Sequence, residues 1–306
     1  MPPADDLWVI TTYFNSARYA SRRANYDLFA EGLARQGVSC LTVECAFGDE
    51  PFALPASPRL LRRRSPAVLW QKERLLNVAL AALPPHVTKV AWLDADVLFQ
   101  NPSWALDASR MLERHDVVQL FESVVRLPRG RTEDDGTGES WVGFVAQCSL
   151  TPGCEQHGWD WHGHTGFAWA ARRDYLERCG FFDACLTGSG DHLMAHGFLG
   201  DLGSRCVDGM IGVRTPLHRA FVRWAEAARL GPEGLGLVRG TLFHLWHGEM
   251  RDRKYWQRSQ EFKAFEFDPA VDVKISDGAF VWSGANPRLE DWAARMFVDR
   301  REDGDG

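Results

Sequence analysis

The sequence predicts an α/β fold, a mixed sheet flanked by helices within a single domain of 306 residues. Three observations predict it. The chain opens strand, helix, strand with short links, the mark of parallel strands joined by a helical crossover. A strong helix at 70–83 then leads into an apolar strand at 87–93 that runs straight into Asp94-Ala95-Asp96. The composition, 45% hydrophobic and 25% charged, is that of an ordinary globular chain with a sizeable core.

Taken in order, LWVI at 7–10 is a buried strand ending in TTYFNS. Residues 19–35 carry Tyr19, Tyr26, Phe29, Ala30 and Leu33 on one helical stripe, and Gly37 stops the helix. VSCLTVECA at 38–46 is the second strand. The Pro- and Arg-rich residues 48–66 are a loop with one short strand. Pro84-Pro85 closes the helix at 70–83. VLF at 97–99 stays extended, 103–114 is a helix with a Ser103 cap, and 116–121 is a strand. PRGRTEDDGTGES at 128–140 is a charged, Gly-rich loop. A strand is expected at 141–146, a short apolar run at 167–171, and helices at 173–179, from about Asp191, and at 215–229. TLFHLW at 241–246 is a strand, a basic and aromatic stretch follows through 251–258, and the final REDGDG is expected to fray.

Charge narrows the function. Thirty-five Lys and Arg against 41 Asp and Glu give a formal net charge of −6, which argues against a protein devoted to wrapping a nucleic-acid backbone. No run of 18 apolar residues suggests a membrane span. The acidic start MPPADD lacks the plan of a signal peptide, so a cytoplasmic location is expected. Seven cysteines, an odd number in a long chain, fit reduced thiols.

Asp94 and Asp96 stand where open α/β sheets bind ligands, beyond the carboxyl end of a strand. Alternation around Ala95 lets both carboxylates face one divalent cation whose other ligands are phosphate oxygens and water. The plainer alternative is a solvated Asp-rich turn. His244 and His247 offer imidazole donors of the kind Mn²⁺ accepts. In an unbroken strand they fall on opposite faces, so one alone need be a ligand unless the strand ends early. Trp159 and Trp161, set between glycines, suit stacking on a sugar or simple core packing. Cys148, Cys154, His157, His162 and His164 match no standard zinc spacing.

Three blocks then resemble one family in the same order. LWQKERLLNVAL followed by WLDADVLFQNP is similar to the β-1,4-galactosyltransferases, whose Phe-Asn-Arg-Ala-Lys-Leu-Leu-Asn-Val helix precedes an Asp-Val-Asp strand. GFAWAARRDYLERCGFFDACLTGSGDHLMAHGF resembles the family's second half, and HLWHGEMRDR its metal-binding His and charged loop. Together they cover about a third of the chain. The wider resemblance is to metal-dependent glycosyltransferases of the GT-A fold, and a group of bacterial and phage proteins shares WHG-x-x-x-DR-x-Y. The resemblance implies a GT-A-like (Rossmann-like) domain. Residues 1–125 would form its nucleotide-sugar half, 126–260 its acceptor and catalytic half, and 261–306 a C-terminal extension. It places Asp94, Asp96, His247 and His244 on the metal and Asp191 on the general base. Trp70 and Lys72 fall on the nucleotide and its phosphates, with Thr11, Thr12 and Tyr13 bracketing the base. It implies Mn²⁺ (or Mg²⁺) and a UDP-sugar donor. The family's Glu-Asp-Asp is Gly190-Asp191-His192 here, so the acceptor does not carry over; Trp159, Trp161 and His192 are the acceptor-side candidates.

The chemistry fits these residues. A metal, Lys72 and basic residues such as Arg251 and Arg253 can neutralise a leaving diphosphate. Asp191 can take the acceptor proton, which implies inversion, although it also suits an N-cap. A glycan or glycoside hydroxyl is the first acceptor, and a hydroxylated base of phage DNA the second. Two rivals remain. A nucleotidyltransferase is disfavoured because TTYFNSAR lacks the Gly-rich loop. A carbohydrate-binding module would not need Asp94, Asp96, His247 and Asp191 together.

Overall fold

The computed structural model describes residues 5–151, 153, 156, 161–231 and 233–304. In chain order the first half comprises β1 (Leu7–Tyr13), α1 (Ala20–Arg35), β2 (Cys40–Phe47), β3 (Leu60–Ser65), α2 (Lys72–Ala81), β4 (Lys89–Leu93), β5 (Val97–Phe99), α3 (Trp104–Met111), β6 (Val117–Gln119) and β7 (Ser123–Arg126). Then come β8 (Glu139–Val142), α4 (Phe144–Leu150), β9 (Ala168–Arg172), α5 (Arg173–Cys179), α6 (Gly190–Leu199), α7 (Arg205–Ile211) and α8 (Pro216–Ala228). The last part holds β10 (Leu235–Leu237), β11 (Thr241–His244), α9 (Met250–Arg253), α10 (Tyr255–Lys263), β12 (Val273–Ser276), β13 (Ala279–Trp282) and α11 (Pro287–Asp299).

Seven strands form the main sheet in the order β10-β6-β9-β4-β1-β2-β3. The β4-β1-β2-β3 stretch is parallel, as the strand–helix–strand opening predicts, while β9 runs antiparallel to both β4 and β6. The sheet is therefore mixed, and one strand from the second half of the chain sits inside it. Both faces are covered. Ile10, Val90 and Trp92 join one core cluster, and their neighbours Val9, Ala91 and Leu93 join the other. Side-chain alternation sends successive residues to opposite faces, so a strand buried on both must read as one apolar run. Gly37, at φ +68°, takes the left-handed turn after α1 that a side chain would resist.

A smaller sheet, β5-β11-β7-β8, lies beyond the end of β4, and β12–β13 is a hairpin. Two expectations are corrected. The run at 141–146 is not one strand: β8 ends at Val142 and α4 starts at Phe144, because Gly143 packs its backbone against Phe121 O, where a Cβ would sit 2.8 Å away. The tail does not fray up to Gly304. Glu302 is fully buried, and both oxygens of Asp303 accept hydrogen bonds from the backbone N–H groups of Ala20 and Ser21. Asp303 thereby supplies the side-chain cap that Tyr19 cannot give α1. Among the described residues no helix is long and apolar enough to cross a membrane.

Candidate metal and active site

The site is assembled where β4 ends. All five residues of β4 are buried, so its carboxyl end is a fixed platform. The backbone N–H of Asp94 donates to Phe167 O at 2.8 Å, which holds the turn. β11 runs antiparallel to β5 with His244 opposite Val97, and Leu245 N donates to Asp96 O at 2.9 Å. This pairing carries a segment 150 positions further on to the side of Asp96.

The strand ends early, at His244, so the two histidines are freed from strand alternation. Their Nε2 atoms lie 2.8 Å apart, and His247 Nε2 is 3.4 Å from Asp96 Oδ2 and His244 Nε2 3.8 Å from Oδ1. Asp96 Oδ1 is buried without a hydrogen-bond partner. Burial, with Asp94 adding to it, pushes the Asp96 carboxyl up to about 7 against the pull of Arg22 and Arg253. Burial and then Arg253 hold His247 down at about 3, and burial and then His247 hold His244 well below the usual range. Both imidazoles are thus neutral, the ligating form. One carboxylate and two neutral imidazoles around an orphaned buried oxygen form a donor set that fits a divalent first-row metal such as Mn²⁺.

Lys72 organises the adjoining half of the site. At the first turn of α2, its Nζ lies 2.5 Å from Asp94 Oδ1 and 2.6 Å from Asp191 Oδ2. Asp94 thereby turns to Lys72 and stands outside the Asp96–His244–His247 trio. Asp191, in the first turn of α6, keeps Oδ1 buried with no hydrogen-bond partner. Burial raises its carboxyl, Lys72 opposes that, and Asp94 adds to the rise. Gly190 is required by packing, since a Cβ there would strike the Glu73 carboxyl. Glu73 is itself buried, accepts from Trp70 Nε1 at 2.9 Å, and is pushed by burial up to about 8.

A cluster of guanidinium groups closes the third side. Glu302 Oε1 lies 2.8 Å from Arg253 and 2.7 Å from Arg300, and its Oε2 lies 3.3 Å from Arg22. Arg253 also donates to His247 O at 2.5 Å and contacts the His247 ring. Arg258 is 5% exposed, lies over the Tyr255 ring at 4.9 Å, and makes no hydrogen bond from any of its three nitrogens. Four arginines around one carboxylate leave a buried positive excess that calls for an anion.

No family model matches this sequence, and no curated protein matches it. Among solved structures, the chain is similar to the catalytic domain of Drosophila β1,4-galactosyltransferase 7 in complex with xylobiose. The identity is 12%, the match covers 94% of this chain and 98% of that one, and the TM-score is 0.41. A mutant of the same enzyme with manganese, UDP-Gal and xylobiose gives the same figures. A glycosyltransferase involved in glycosylation of the major capsid of PBCV-1 matches at 10% identity, over 84% of this chain and 98% of that one, with a TM-score of 0.30.

Several site expectations change. Thr11 is fully buried and its hydroxyl donates to Leu93 O at 2.8 Å, fastening β1 to β4 instead of facing a base. Tyr13 is buried edge-on against Tyr26, and Trp70 is buried against Phe14 and Phe297. Thr12 remains half-buried at the same strand end. Lys72 is already matched by two carboxylates, whereas the Arg258 guanidinium has no hydrogen-bond partner. His192 is buried in a cluster with His162 and His196. His164 stacks on Phe167 instead of joining that cluster. Trp161 is 67% exposed, whereas Trp159, Cys154 and His157 lie outside the described residues. Arg253 and Arg258 point inward, so the stretch 251–258 presents less of a basic surface to nucleic acid than its sequence suggests.

Glu73, Arg258, Arg300 and Glu302 were not among the residues singled out in the sequence. The arginine-rich run at 251–258 held a signal for Arg258. Nothing local distinguishes Glu302 from any other acid in a polar tail.

Proposed function

We propose that the protein is a metal-dependent, inverting glycosyltransferase that moves a sugar from a nucleoside-diphosphate donor to an acceptor hydroxyl. One observation carries this reading. A carboxylate–imidazole trio, an unpartnered buried guanidinium and a partly unpartnered buried carboxylate converge at the carboxyl end of a parallel strand. Those are the parts that sugar transfer requires: a cation site, an anion site and a base.

Asp96, His244 and His247 would hold the metal, and Mn²⁺ there would supply charge to a leaving diphosphate. Arg258, with Arg253 and Arg300 beside it, would receive the diphosphate oxygens. Arg253 also fixes the His247 ring, so it couples the anion site to the metal ligand. Asp191 would take the acceptor proton on Oδ1 while Lys72 holds Oδ2 and keeps the carboxylate ionised. A single base opposite the leaving group implies attack from the far face and inversion. A UDP-sugar donor and a glycan or glycoside acceptor follow from the sequence resemblance, with Thr12 near the base and the exposed Trp161 on the acceptor side.

Incubation with Mn²⁺ and a panel of sugar nucleotides tests the reading. Release of nucleoside diphosphate, rising with a glycoside acceptor, is the expected result. Release of monophosphate or pyrophosphate would instead establish nucleotidyl chemistry, and binding without turnover would leave a carbohydrate-binding protein.

A further inference from the structure

Outside the Asp96 trio, four metal-ligating side chains meet in the core. His162, His192, His196 and Cys206 each present one ligating atom, and these atoms lie within 4.8 Å of one another. None of the four residues is more than 3% exposed. His192 and His196 are four residues apart and so share one face of α6. Cys206 comes from the first turn of α7, and His162 from the segment before β9.

The inner and outer atoms are sorted. Cys206 Sγ lies 3.2 Å from His196 Nε2 and 3.8 Å from His162 Nε2. The Nδ1 atoms face outward to separate partners: His196 to Asp201 Oδ2 at 2.9 Å, His162 to Gly163 O at 2.8 Å, and His192 to Thr165 Oγ1 at 3.4 Å. A carboxylate, a carbonyl and a hydroxyl behind the three rings are the outer partners that fix ligating histidines in their tautomer.

We propose that His162, His192, His196 and Cys206 form a structural zinc site. Ordinary Zn–S and Zn–N bonds at a tetrahedral angle place a thiolate and an imidazole nitrogen about 3.6 Å apart. The observed separations fall on either side of that value. Four protein ligands with no open position make a closed, structural site. A cysteine–histidine nucleophile would need a route for substrate, and every member of this cluster is buried.

The site would staple three segments that otherwise meet through packing and long side-chain hydrogen bonds such as His192–Thr165 and His196–Ser204: the Gly-rich stretch before β9, α6 and α7. Asp191 immediately precedes His192, so the zinc would also anchor the turn that presents Asp191. The assignment does not depend on the proposed activity.

Metal analysis of the untagged full-length chain, after exhaustive dialysis, tests it. One zinc per chain is expected, released stoichiometrically by p-hydroxymercuribenzoate. Asp96→Ala should keep that zinc, and Cys206→Ser should lose it. Protein grown on Co²⁺ should show a thiolate-to-cobalt charge-transfer band with intense tetrahedral bands. The Asp96 trio has no sulfur and cannot produce that band. Because these last readings use the wild-type chain, they hold even if Cys206→Ser fails to fold. Wild-type protein without bound zinc, a cobalt spectrum without the thiolate band, or zinc that leaves with Asp96→Ala would overturn the assignment.

Discussion

Lys72 Nζ reaches Asp191 Oδ2 at 2.6 Å across 119 positions of sequence. The same ammonium holds Asp94 at 2.5 Å, so one half-buried cation ties the end of β4 to the start of α6. Removing it leaves two partly buried carboxylates, Asp94 and Asp191, facing each other. Lys72→Met should therefore destabilise the fold by about 3–5 kcal/mol, the usual cost of breaking a buried pair by deleting one partner. Urea unfolding near neutral pH would measure it. A loss below about 1 kcal/mol would mean that the bridge is solvated and that Asp191 is not positioned by it.

Asp96 and Asp191 should fail differently. Asp96→Ala removes the one carboxylate of the trio and should abolish Mn²⁺-dependent binding of nucleoside diphosphate as well as turnover. Asp191→Asn keeps the shape and the contact to Lys72 but removes the basicity. It should leave donor affinity near wild type and lower kcat by roughly 10²–10⁴. Calorimetry of nucleotide binding, set beside steady-state rates, separates the two. Full activity in Asp191→Asn would leave the inverting mechanism without a base.

Glu73 gives a pH signature in stability. Its carboxyl is raised, first by burial and further by Asp191, to about 8, against the pull of Lys72 and Trp70. The unfolded chain loses this proton near the ordinary carboxyl value of 4.5. Between those two values the folded state holds a proton that the unfolded state has released. Stability is therefore greatest below the lower value and falls as pH rises through the window, by roughly 1.4 kcal/mol per unit at most. Glu73→Gln mimics the protonated side chain and can still accept from Trp70. It should flatten that slope and become more stable than wild type by pH 8. Parallel stability curves for the two proteins from pH 5 to pH 8 would show that Glu73 is not shifted.

The strands that build the platform were legible because a sheet covered on both faces demands unbroken apolar runs, and LWVI and VAWL are such runs. Asp94 and Asp96 were legible because acids directly after such a strand must sit at its carboxyl edge. The histidine pair was only half legible. Periodicity shows a strand through TLFHLW but not where its ladder stops, and the stop at His244 is what lets His247 join His244. Besides its near neighbours, Cys206 meets His196 and His162, ten and 44 positions away, and Glu302 meets Arg253 and Arg22, 49 and 280 positions away. No local pattern marks them, although the i, i+4 spacing of His192 and His196 was there to be seen. Trp70 and Tyr13 were assigned to the base by resemblance, and the core claimed them because their apolar area outweighs their polar atoms.

Glu302 links the C-terminal tail to the arginines of the proposed anion site. Its carboxyl is held well below the usual range: burial opposes ionisation, but Arg22, then Arg300 and Arg253, outweigh it. Glu302→Gln preserves size and can still accept hydrogen bonds, but it removes the negative charge at the centre of the arginine cluster. Without ligand, the buried guanidinium groups then repel one another, and stability should fall by about 3–5 kcal/mol. A bound diphosphate would supply the missing charge. The rise in Tm on adding saturating UDP and Mn²⁺ should therefore be larger in the variant than in wild type, because the ligand stabilises only the folded state. A purely structural ion cluster predicts a different result, equal ligand-induced shifts in the two proteins on top of a lower starting Tm. Thermal scans with and without nucleotide distinguish the two, and equal shifts would remove Arg253, Arg300 and Arg258 from the proposed diphosphate site.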